Sequence, residues 1–173
     1  TFLEIFAQTL STAVSCLPRH TVLTRLTPAM AFTVSRTVEF AASMDAVRPL
    51  LRDLSTYPKW VPIVSSVRQD GELHWIVELR VSIGPFARSK QLRMERSVDN
   101  DEHIMFTRNE SDGRQHAHWE LRFDMSDVGS QTSVTAVLEY RGTMWTPGPV
   151  EDALHNGLDA AVEQLRELLQ QTQ

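Results

Sequence analysis

The sequence predicts an α+β fold in which one strongly curved antiparallel sheet of about seven strands wraps around a long C-terminal helix. Three observations point there. The last stretch, Val150 to Gln171, repeats apolar residues at helical spacing. The middle of the chain alternates apolar and polar residues between turn signals that recur roughly every ten residues. A further alternating segment and a short helical pattern precede that run. Strands in succession, closed by one long helix, make layers of the α+β kind and not βαβ units.

Composition sets the frame. A chain of 173 residues with 42% hydrophobic and 23% charged residues is long enough for one domain with a real core. Its net charge of −5 argues against a general nucleic-acid binder, which needs a basic stripe to displace counterions from phosphates. No run approaches the ~20 apolar residues of a membrane span, so stable membrane insertion is not expected. The single cysteine, Cys16, excludes an intramolecular disulfide and fits a reducing, cytoplasmic setting.

Residues 1–29 differ from the rest and are read as an appendage to a domain spanning residues 30–173. Phe2, Ile5, Phe6, Leu10 and Ala13 make one apolar face of a short helix, and Met30 is a candidate natural start. A docking helix, a transit-like leader and upstream sequence remain alternatives for this stretch.

The domain proper opens with Phe32 to Phe40, where Phe32, Val34, Val38 and Phe40 share a face broken only by Arg36. Ser43 or Asp45 then caps a helix whose apolar residues are Val47, Leu50, Leu51 and Leu54. Pro49 fits only near a first turn, which asks for a start at Asp45, and otherwise predicts a kink. Tyr57-Pro58-Lys59-Trp60-Val61-Pro62 is expected to be a stiff linker whose rings plug one end of the core.

Six strands follow in meander. Val64 to Gln69 leads into the hairpin signal Asp70-Gly71. Leu73, Trp75, Val77, Leu79, Val81 and Ile83 form the inner row of the next strand, and Gly84-Pro85 turns the chain. Leu92 and Met94 face in from the strand after that, and Ile104 and Phe106 from its neighbour. Ala117, Trp119, Leu121 and Phe123 come next, then Val134, Ala136, Leu138 and Tyr140. Pro147-Gly148-Pro149 stops the last segment before the helix. The helix buries Leu154, Leu158, Ala161, Leu165 and Leu169 among others, with Gly157 on the same side, where the missing side chain lets another backbone come close.

The order of elements, the Tyr57–Pro62 segment and the terminal amphipathic helix resemble the START-like or SRPBCC superfamily, the helix-grip group that includes polyketide cyclase/dehydrase domains. The resemblance covers about residues 32–171. It implies a deep pocket between sheet and helix for a hydrophobic small molecule or lipid, with no cofactor. The superfamily includes lipid and sterol carriers, aromatase/cyclases and members that sit on larger complexes, and fold alone does not choose among them.

Candidate pocket residues are Trp60, Trp75, Val77, Leu79, Leu92, Met94, Phe106, Trp119, Leu121, Ala136, Leu154 and Leu158. Trp145 stands in the loop before the long helix as either a lid or an anchor. Arg96 lies on the inner side by counting from Met94, and resembles the strand arginine that aromatase/cyclases use to polarise a carbonyl. The alternative is an ion pair with Glu95 or Asp99 in water. Arg108 either holds a ligand carboxylate, pairs with Glu110 or lies at the surface. Tyr140 offers one hydroxyl to a ligand or caps the core. Arg96 and Tyr140 are thus the candidate catalytic pair. His74, His103, His116 and His118 are all expected to face outward, so no proton acceptor is found for a cyclase. No motif supports a metal site.

Overall fold

The computed structural model describes residues 30–83, 86–142 and 149–171. Its elements are β1 (Met30–Phe40), α1 (Met44–Arg52), a 3-10 helix (Leu54–Lys59), β2 (Val64–Gln69), β3 (His74–Ile83), β4 (Phe86–Asp99), β5 (His103–Arg108), β6 (His118–Val128), β7 (Gln131–Gly142) and α2 (Pro149–Gln171). The residues 1–29 and Trp145 lie outside the described residues.

All seven strands join one antiparallel sheet in the order β1-β7-β6-β5-β4-β3-β2. Strands β2 to β7 are a plain meander, and β1 returns to lie beside β7. The long helix α2, about 34 Å at 1.5 Å per residue, packs against β1 and β3. Alternation decides which side of the sheet meets it. On β1, Val34 and Phe40 are buried while Ala31, Thr33, Ser35, Thr37 and Glu39 are exposed. On α2 the buried positions are Leu154, Gly157, Ala161, Leu165 and Leu169, spaced by three or four residues.

Turn chemistry agrees with the strand boundaries. Gly71, Gly113 and Gly129 adopt positive φ (126°, 69° and 66°), which side chains resist, at three of the turns that the Asp-Gly and Ser/Asp-rich spacing marks. Thr132, fully buried, donates its hydroxyl to the Ala42 carbonyl at 2.8 Å and so ties β7 to the entrance of α1.

Some local expectations are corrected. Helix α1 starts at Met44, so Pro49 falls in its second turn, where the missing N–H leaves the Asp45 carbonyl without its helical donor. The linker after α1 is a regular 3-10 turn: the Asp53 carboxylate accepts from Ser55 N at 2.9 Å and caps it. Leu54 belongs to this turn and not to α1. Leu73 precedes β3 and is exposed.

Arg36, the polar interruption on the inner face of β1, reaches up to α2. Its Nε and Nη2 lie 2.6 Å and 3.2 Å from the Asp159 carboxylate. That hydrogen bond, opposed by desolvation and helped by the charges of Arg36 and His155, holds the Asp159 pKa below its ordinary 3.8. A carboxyl depressed in the folded state contributes stability above its unfolded pKa and loses it as pH falls through the folded value. Acidification from about pH 5 to about pH 3 is therefore expected to lower amide protection in the middle of α2. Asp159→Asn should remove this acid-sensitive part. Protection factors in α2 that are flat across that range in the wild-type protein would contradict it.

Candidate ligand pocket

Beneath α2 the concave face does not close. A cavity of about 120 Å³ remains between helix and sheet. Its floor is a row of inward strand residues: Val77 and Leu79 from β3, Leu92 and Met94 from β4, Phe106 from β5, Trp119, Leu121 and Phe123 from β6, Leu138 from β7 and Val34 from β1. Leu154, Gly157 and Leu158 of α2 form the roof. One end is stopped by Leu54, Tyr57, Trp60, Val61, Ile63 and Val64, which the 3-10 turn and its exit deliver. Leu121 and Leu138 face this space and are only half-buried, as expected of side chains that meet a void instead of packed neighbours.

The polar atoms of Tyr57 and Trp60 are engaged within the protein. The Tyr57 hydroxyl donates to the Leu51 carbonyl at 2.8 Å. Burial first, and the nearby Asp53 charge second, push the Tyr57 pKa well above 10.0, so this wall stays neutral. Trp60 Nε1 donates to Thr56 Oγ1 at 3.3 Å. The two rings pack together at 4.6 Å between centroids with their planes tilted by 53°, a plug of the kind the aromatic-proline segment suggested.

Of the residues picked from sequence, Trp60, Val77, Leu79, Leu92, Met94, Phe106, Trp119, Leu121, Leu154 and Leu158 come together around the cavity. Trp75, Ala136, Tyr140, Arg96 and Arg108 do not. Trp75 is buried beyond the cavity's end, edge-on to Phe106 at 5.7 Å, with its indole N–H on Ser55 Oγ at 3.2 Å. Ala136 faces inward but further along, lining a separate space of about 30 Å³ under the C-terminal half of α2. Tyr140 is fully buried behind Trp119, stacked on Phe32 at 5.1 Å, with its hydroxyl directed at Gly142.

The arginines need the most correction. Arg96 has inward parity, opposite Phe106 in the register. Its Nη1 nevertheless donates to the Arg52 carbonyl at 3.1 Å, and its Nε lies 3.1 Å from Asp99 Oδ2 as an ion pair. The guanidinium carbon sits 5.5 Å from the Trp75 centroid, so Trp75 and Phe106 stand between this charge and the cavity. Asp99 also takes Arg48 Nη2 at 2.5 Å and Arg52 Nε at 2.6 Å, one carboxylate gathering three cations. Arg108 is not at the surface: its side chain is only 4% exposed. Nε donates to Glu110 at 2.6 Å, Nη1 to the Ala117 carbonyl at 3.3 Å, and Nη2 meets His116 Nδ1 at 3.2 Å. His116 passes the contact on to Asp112 at 2.8 Å.

Of the strand histidines, His103 Nδ1 lies 2.8 Å from Asp124, while His74 and His118 stand 3.9 Å and 3.7 Å from the Glu95 and Glu120 carboxylates, beyond hydrogen-bond distance. Among the described residues no group of three His, Cys, Asp or Glu side chains is placed to hold a metal ion. No described helix is long and apolar enough to cross a membrane.

Sequence reading missed Val34, Leu54, Tyr57, Val61, Ile63, Val64, Phe123, Leu138 and Gly157 as lining residues. Parity alone could have found Val34, Phe123 and Leu138. Ile63 follows Pro62 in an aperiodic stretch and carries no such signal.

Residues 31–171 match the family described as polyketide cyclase / dehydrase and lipid transport. The chain belongs to this family. Solved structures place the same fold around it, a START-like helix-grip. A START superfamily protein from Mycobacterium smegmatis superposes with a TM-score of 0.67 at 20% identity, covering 82% of this chain and 99% of that one. A conserved protein from Geobacillus kaustophilus gives 0.66 at 14% identity, over 82% and 97%. The Zhui aromatase/cyclase from Streptomyces sp. R1128 gives 0.59 at 16% identity, over 82% and 94%. No curated protein matches the sequence.

Proposed function

We propose that this family member binds a neutral hydrophobic small molecule, or the apolar end of a lipid, in the cavity under α2. The observation that carries this reading is the cavity wall itself: aliphatic and aromatic carbon, with the hydroxyl of Tyr57 and the indole N–H of Trp60 spent on the protein. Binding then draws on apolar burial, about 25 cal/mol per Å² before the costs of association.

A cyclase reading is the alternative, supported by the family and by likeness to an aromatase/cyclase fold. It asks for a donor at a ketone oxygen and a group that takes a proton. The described lining residues include no carboxylate, imidazole or amine. Arg96 and Arg108, the candidate donors, hold Asp99 and Glu110 instead.

Two ligands of one shape separate the readings. A buried carbonyl without a donor loses about 1–3 kcal/mol, so naphthalene is expected to bind roughly tenfold or more tightly than 1-tetralone. Calorimetric titration of both measures the ratio. A protein that prefers 1-tetralone has a polar anchor in its pocket, and the apolar-carrier reading falls.

A further inference from the structure

Gly157 interrupts the inner face of α2 at a point where alanine would favour the helix by about 1 kcal/mol. Its lack of a side chain answers to one neighbour. A Cβ at Gly157 would stand 2.9 Å from Ile63 Cγ2, inside the distance that carbon atoms keep. Both residues line the cavity, Gly157 from the roof and Ile63 from the end wall. The close approach expected of this glycine is thus made by a side chain.

Neither side of this seam is free to withdraw equally. The turn carrying Ile63 is pinned: Arg80 N donates to the Ile63 carbonyl at 2.8 Å, Val64 N to Val61 O at 2.9 Å and Val61 N to Tyr57 O at 2.7 Å. Pro62 fixes a backbone angle beside it, and a β-branched isoleucine turns reluctantly about χ1. Helix α2 is seated here by Leu154 and Ala161, buried on either side of Gly157, and tied by the exposed Arg36–Asp159 pair, which adds little.

We propose that the Ile63–Gly157 contact sets the distance between α2 and the end wall, and thereby the size of apolar ligand that the cavity accepts. This rests on the apolar-ligand reading above. Shortening Ile63 opens the seam toward longer ligands, and a methyl on Gly157 refills the space that a shortened Ile63 leaves.

Affinities for benzene, naphthalene and anthracene, measured by calorimetry on the purified protein, test it. Ile63→Ala is expected to raise the anthracene-to-naphthalene affinity ratio at least tenfold. Adding Gly157→Ala to that variant should return the ratio to within about threefold of wild type. Gly157→Ala alone should weaken naphthalene and lower amide protection in α2. Ile63→Val, a milder change, should move the ratio in the same direction and keeps the test open if Ile63→Ala fails to fold. Variants that still bind naphthalene with an unchanged ratio overturn the proposal. A wild-type protein that binds none of the three overturns the underlying ligand reading, and this one with it.

Discussion

Replacing Glu110 by alanine is expected to cost about 3 kcal/mol of folding stability, because it strands a buried cation. Arg108 is 4% exposed, and its shortest contact is the 2.6 Å bond from Nε to Glu110. Arg108 stands opposite Met94, a lining residue of the cavity, so the cation is left against an apolar wall when the anion is lost. The remaining partners, the Ala117 carbonyl and His116 Nδ1, supply no anion. For a domain of this size the loss corresponds to a Tm lowered by roughly 6–12 °C. The cause is separable from lost packing. Arg108→Met introduced into the Glu110→Ala variant removes the stranded charge and should recover at least half of the loss. Urea denaturation of the four proteins completes the cycle. A single-variant loss below about 1 kcal/mol, or a double variant less stable than Glu110→Ala, would mean that this pair is not a buried charge pair.

Asp99→Ala is expected to be nearly as severe, at about 2–4 kcal/mol, for the opposite electrostatic reason. Here one anion is removed from among three cations, Arg48, Arg52 and Arg96, all of whose contacts with it are 3.1 Å or shorter. The carboxylate is 18% exposed, so the attraction is partly screened already. Without it the guanidiniums repel one another, and that repulsion weakens as salt shortens the Debye length from about 10 Å at 0.1 M toward 3 Å at 1 M. The stability gap between wild type and variant should therefore narrow with added sodium chloride. A gap that widens with salt would contradict this origin. The consequence reaches the cavity. Asp99 clamps α1 to the β4–β5 turn, and α1 leads directly into the 3-10 turn that presents Tyr57 and Trp60 to the pocket. Naphthalene affinity should fall together with stability in this variant.

Much of this architecture was legible in the chain. Strand alternation is decided locally, since a side chain two residues on returns to the same face, and β1 follows it from Ala31 to Phe40. The stripe on α2 is equally local. Parity pointed Arg96 and Arg108 to the concave side, with the surface as the alternative, and the register sets them opposite Phe106 and Met94. What parity cannot give is the company a residue keeps. Arg108 meets Glu110 and His116 only because the chain leaves β5, turns through Gly113 and comes back before β6. Arg96 is intercepted by Asp99 and by a helix some 44 residues earlier in the chain. Ala136 and Tyr140 face the right way on the right strand but lie at the wrong distance along it. Position along a strand becomes position in a pocket only once the tilt of α2 across the sheet is known. The Ile63–Gly157 contact shows the same division: the glycine signalled a close neighbour, and the aperiodic turn that supplies it gave no signal.

The most direct test of an apolar site under α2 is to see where a ligand lies. Methyl-labelled protein titrated with naphthalene should show saturable shifts, with intermolecular NOEs to leucines that line the cavity: Leu54, Leu79, Leu92, Leu121, Leu138, Leu154 and Leu158. Absence of saturable binding, or NOEs confined to methyl groups that do not line the cavity, such as exposed Leu73 and Val128, would contradict a ligand held between the sheet and the helix.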